Sequence, residues 1–180
     1  MKLKTIVIVL GSLLLGGCQA ADPLSGAKDR HDRWWDLHFT APDYMPSWVE
    51  ASAVVDINNR FFPRGGAGVI GGGNFHDEGI ESARGWPGYR GNGSSVTGAD
   101  LPRRVFVRWQ STVEPQTYQG WIEIPEEARQ LLRKSVARRC AETPEMPSPY
   151  HASLTLGLAP GGIVKAWVFD ECLNAIPVAR

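Results

Sequence analysis

Cysteine is scarce in this chain, extended apolar runs are nearly missing and neither sign of charge dominates, and each shortage removes a class of function. Nineteen basic residues against nineteen acidic ones leave no surplus to hold a polyanion, so no nucleic-acid partner is expected. Three cysteines with no C-x-x-C spacing do not suggest a zinc site, and no metal is expected. The one apolar run, Ile6–Leu15, is too short to span a bilayer as a stable helix. Ser94 and Ser95 lack the G-x-S-x-G elbow, and His38, His76 and His151 sit in no nucleophile signature. Gly66-Ala67-Gly68-Val69-Ile70-Gly71 matches G-x-G-x-x-G. Gly72-Gly73-Asn74 follows, however, a poor start for the helix that would receive a pyrophosphate, so no dinucleotide or other cofactor is expected. His76-Asp77-Glu78 has metal-ligand residue types, but adjacent side chains seldom converge on one ion, and a solvated polar turn is the simpler reading. No catalytic set emerges, and the chain reads as a non-enzyme.

What is present starts at the N-terminus. Lys2 and Lys4 precede the apolar segment, which ends in Leu15-Gly16-Gly17-Cys18. That run looks like a bacterial lipobox: residues 1–17 would be a lipoprotein signal peptide, and Cys18 would receive the lipid and become the new N-terminus. Gln19, where an aspartate would retain such a lipoprotein at the inner membrane, favours anchoring on the periplasmic face of the outer membrane. Residues 18–33 read as the lipidated start and a polar tether, and residues 34–180 as a single β-rich globular domain. In an oxidising periplasm the remaining pair, Cys140 and Cys172, is most simply a disulfide, which on the chain-entropy model would stabilise by roughly 3–4 kcal/mol. A metal-binding pair is the competing idea.

The most regular stretch is Leu101–Pro125. Val105, Val107 and Trp109 alternate with Arg104, Phe106, Arg108 and Gln110, and a second run carries Tyr118, Ile122 and Ile124 on one face. Together they read as an antiparallel hairpin closed around Ser111–Gln116. Phe106 and Trp121 place large aromatics on its otherwise polar face, which implies either a cover or a partner. Pro125, Glu126 and Glu127 then open a helix with Ala128, Leu131, Leu132 and Val136 on one side. This helix is expected to fold back over Phe106 and Trp121.

Trp34–Thr40 and Trp48–Asn58 read as strands joined by a proline loop and expected to pair with each other. His151–Ala159 and Ile163–Asp170 read as a hairpin around Pro160-Gly161-Gly162. Between Gly65 and Gly98 lie twelve of the twenty glycines. Val69–Ile70 is expected there as a short strand, and Gly85–Gly98 as loop. The fold class implied is α+β and mainly β: an antiparallel sheet or sandwich-like domain of roughly six or seven strands with one amphipathic helix. Aromatics on the glycine-rich segment suit either packing over the sheet or binding a partner, and Phe75, His76, Asp77, Trp86 and Tyr89 are the candidate partner-binding residues.

Val107–Tyr118 (VRWQSTVEPQTY) with Ile122–Pro125 (IEIP), and Gly157–Trp167 (GLAPGGIVKAW) with Cys172-Leu173, resemble the bacterial lipoproteins of the domain-of-unknown-function 2931 family. The resemblance covers most of the chain from about Trp34 and implies an outer-membrane or periplasmic lipoprotein. Some members lie beside type VI secretion effector genes and look like immunity proteins, so the implied partner is a periplasmic effector protein. No catalytic residue carries over. The alternative is an envelope-structural or glycan-binding lipoprotein that acts through Trp86, Tyr89 or Trp121.

Overall fold

The computed structural model describes residues 34–72, 85–86, 91–134, 153–169 and 175–179. In chain order these form β1 (Trp34–Thr40), β2 (Ser47–Asp56), β3 (Phe61–Ile70), β4 (Asn92–Thr97), β5 (Pro102–Ser111), β6 (Gln116–Glu123), α1 (Glu126–Lys134), β7 (Ser153–Ala159), β8 (Ile163–Phe169) and β9 (Ala175–Ala179). The strands build two sheets, β4-β1-β7-β8-β9 and β3-β2-β5-β6. Pairing is antiparallel throughout except between β1 and β7, which run parallel. The described residues form a mainly β sandwich with one α-helix.

Period-2 alternation makes the core. From the first sheet Trp35, Leu37 and Phe39 of β1 and Leu154, Leu156 and Leu158 of β7 point inward. Val54 of β2 and Val105, Val107 and Trp109 of β5 meet them from the second, all in one buried cluster. Each such side chain contributes about 1.5–3 kcal/mol on leaving water. The β5–β6 hairpin forms as the alternation requires, with Val105 opposite Ile122 and Phe106 opposite Trp121.

Four expectations are corrected. β1 and β2 do not pair: the loop with Pro42 and Pro46 carries the chain from the first sheet to the second. The strand at Val69–Ile70 extends back to Phe61, and Asn92–Thr97 is a strand where a loop was expected. Both lie at sheet edges, held by a neighbour's backbone, so side-chain propensity counts for less. The helix does not cover Phe106 and Trp121. Ala128 and Leu132 are fully buried in the inter-sheet core, with α1 set against β8, because the larger apolar surface to be closed lies between the sheets.

The β2–β3 turn is organised by Asp56. Its buried carboxylate accepts from the backbone N–H groups of Asn58 and Arg60, both at 2.9 Å, and of Asp100 at 3.2 Å, and it pairs with the Arg60 guanidinium at 2.7 Å. Burial alone would raise its pKa, but these donors together hold the carboxyl below its usual value.

Candidate binding face

The outward set of side chains on β2, β5 and β6 defines the most distinctive surface of the molecule. Phe106 and Trp121 lie opposite each other with ring centroids 5.4 Å apart and planes tilted by 54°. The Arg104 guanidinium stacks over Trp121, 4.5 Å from its centroid. On β2, Trp48 lies between Val69 of β3 and Gln110 of β5. Arg108 pairs with Glu50 at 2.5 Å, and Gln110 also donates to Glu50, which places a polar lattice between the two tryptophans. Among the described residues no element covers this face: Trp48 is 49% exposed, Val69 51% and Trp121 42%. Tryptophan and arginine, held in place by neighbours yet open to solvent, are the residue types that dominate protein-binding energetics.

The outer face of the first sheet is built differently. Thr155 and Gly157 of β7 lie opposite Trp167 and Lys165 of β8, and β7 is buried along its whole length. Trp86 packs here, 5.5 Å from Trp167 in an edge-on contact at 64°, with the Lys165 ammonium 4.6 Å from its ring centroid. A Cβ on Gly157 would fall 2.6 Å from the Trp167 ring, so glycine is what lets both indoles lie close to the sheet. On β4, Ser95 donates to the Asp36 carboxylate at 2.6 Å. Of the five candidate partner-binding residues, Trp86 is thus placed half-buried against the first sheet. Phe75, His76, Asp77 and Tyr89 lie outside the described residues, as do Cys18, Cys140 and Cys172.

Sequence reasoning singled out Phe106 and Trp121 and missed Trp48. Trp48 and Val49 are adjacent apolar residues and so must point to opposite faces, a signal for an outward tryptophan. It also missed why its two long motifs are recognisable. Glu114, in the β5–β6 turn, accepts from the Tyr118 hydroxyl at 2.8 Å and from the Gly161 N–H, in the β7–β8 turn, at 2.5 Å. Gly161 and Gly162 both hold positive φ, 76° and 73°, and Gly162 backs onto the Tyr118 ring. The hydrogen bond to Glu114 pushes the Tyr118 phenol up in pKa. The two motifs therefore meet and clasp one sheet to the other, a structural task.

Among the described residues no group of three or more His, Cys, Asp or Glu could hold a metal ion, and no helix is long and apolar enough to cross a membrane. A family model described as "Protein of unknown function (DUF2931)" matches residues 25–180. No curated protein and no solved structure matches the chain.

Proposed function

The chain belongs to the DUF2931 family, and on that premise we propose that it is a protein-binding module of the bacterial envelope. In this reading it is a lipoprotein anchored through Cys18 to the periplasmic face of the outer membrane, and its partner is a type VI secretion effector that it neutralises by stoichiometric binding. The observation that carries the binding role is the open face around Trp48, Phe106, Trp121 and Arg104. A sheet face that only had to meet water would not carry two exposed tryptophans and a stacked arginine. The choice of partner class rests on the lipobox-like start and the family resemblance.

The test is competition between strains. Deleting the gene sensitises cells to neighbours that deliver the cognate effector, and the wild-type gene restores survival. The Trp48→Ala/Trp121→Ala pair is stably produced but fails to restore it. Unchanged survival of the deletion strain removes the immunity role. A purified protein that retains cell-wall fragments and captures no effector favours glycan binding through Trp121.

A further inference from the structure

The two sheets do not close where β3 and β4 meet. Among the described residues each of these strands has a ladder partner on one side only, β3 in β2 and β4 in β1, and between them opens a cleft of about 570 Å³. Leu37 and Phe39 form its floor, and residues 65–67 and 92–94 its walls. Three of these six wall residues, Gly65, Gly66 and Gly93, are glycines, and part of the reason is steric. A Cβ on Gly66 would run into the carbonyls of Val49 and Glu50, where β2 is bulged, and one on Gly93 into the carbonyl of Leu37. Strand segments stripped of side chains let another backbone come close, and unpaired strand edges are what extended peptides join.

Arg64 stands in this cleft, inward-facing opposite Ser52. Its Nη2 donates to the Ser94 carbonyl at 3.3 Å, the Ser95 carbonyl at 3.2 Å and the Ser94 hydroxyl. Among the described residues no carboxylate pairs with it. Desolvation draws its pKa below the usual guanidinium value, yet a guanidinium stays charged at neutral pH. Further along, the Asn92 amide donates to the Val69 carbonyl at 2.6 Å. The cleft is thus stapled at two points, with an unpaired cation at one of them.

We propose that the cleft is a second binding site, which takes an extended segment of a partner protein, its main chain lying over residues 65–67 and 92–94 between the two staples and one glutamate or aspartate carboxylate meeting the free nitrogens of Arg64. Charge complementarity and the glycines of the walls select this occupant: the planar fork of a guanidinium matches a carboxylate, and Gly65, Gly66 and Gly93 let a main chain come close. The site uses none of the side chains of the aromatic face and stands whether or not that face binds an effector.

The test measures binding of a fluorescein-labelled peptide, acetyl-SVSESVS-amide, and its glutamine counterpart to the full chain in detergent by fluorescence anisotropy. The glutamate peptide binds about tenfold more tightly than the glutamine one, the worth of one charge-assisted pair. Arg64→Met abolishes that preference. So does Ser94→Asp, which hands Arg64 a carboxylate from within the chain, adds an ion pair and keeps the fold. Trp48→Ala/Trp121→Ala leaves the preference intact. Equal binding of the two peptides to the wild type, or a preference that survives Ser94→Asp, overturns the proposal. So does a preference lost only in the tryptophan variant, which would place the peptide on the aromatic face.

Discussion

The two outer faces of this sandwich obey the same alternation and are put to opposite uses. Behind β7 the outward residues are Ser153, Thr155 and Gly157, and they are buried along with the rest of the strand. Behind β5 and β6 they are Arg104, Phe106, Arg108 and Trp121, and they meet water. Size and not hydrophobicity separates them. Where Trp86 and Trp167 lie over β7, that strand keeps its own outward side chains small, whereas a face over which no described element lies is free to carry large ones. Hydropathy alone would have assigned the two the wrong way round.

The sharpest way to break that contrast is to enlarge the covered face. Gly157→Val drives a branched side chain into the Trp167 ring and the Trp86 indole, and costs about 3 kcal/mol as overpacking. Urea unfolding reads that loss, and a red shift in tryptophan emission reports Trp86 leaving the sheet. A loss below about 0.5 kcal/mol would mean that the cover is loose.

Asp56, at the turn that frames the open face, comes next. Asp56→Asn keeps an acceptor but gives up the ion pair, and lowers stability by about 1.5 kcal/mol at neutral pH. Because the folded carboxyl titrates below its unfolded value, its contribution is complete above the unfolded pKa near 3.8 and is lost as pH falls through the lower folded value. The wild-type and Asp56→Asn unfolding curves therefore converge in acid below that point. A constant gap from pH 7 down to pH 2 would show that the charge plays no part.

The smallest stability effect belongs to the open face. Trp121→Ala changes the unfolding free energy by less than about 1 kcal/mol, the worth of its contacts with Phe106 and Arg104, while capture of the partner falls at least about tenfold, as at a hot spot. A large stability loss with unchanged capture would make this face structural.

Strands whose side chains do the pairing were legible. β5, β6, β7 and β8 announce themselves through alternation and through turn chemistry at Pro160-Gly161-Gly162, and α1 through Pro125 and its acidic first turn. The edge strands were not. Phe61–Ile70 contains proline and three glycines, and Asn92–Thr97 is mostly small and polar, so what makes them strands is the backbone of β2 and β1. Nor was the neighbourhood of β1: proximity in sequence suggested β2, but its partners are β4 and β7, far along the chain. The anomaly at Phe106 and Trp121 was visible, because a period-2 pattern shows when a large aromatic falls on the polar side. The Arg64 cleft was not, since it exists only where two edge strands that ignore propensity come together.

The parallel pairing of β1 with β7 sets an order of events. The second sheet draws all its strands from Ser47–Glu123, so it has what it needs before the last third of the chain arrives. The first sheet begins with the earliest strand and cannot seat it in the middle until β7 exists. Loops of that length close slowly, so a chain emerging N-terminus first must keep Trp35, Leu37 and Phe39 waiting, exposed, until nearly all of it has followed. For this domain the vulnerable interval is the one between the completion of one sheet and the return of the chain to close the other, and a chaperone would find its substrate there.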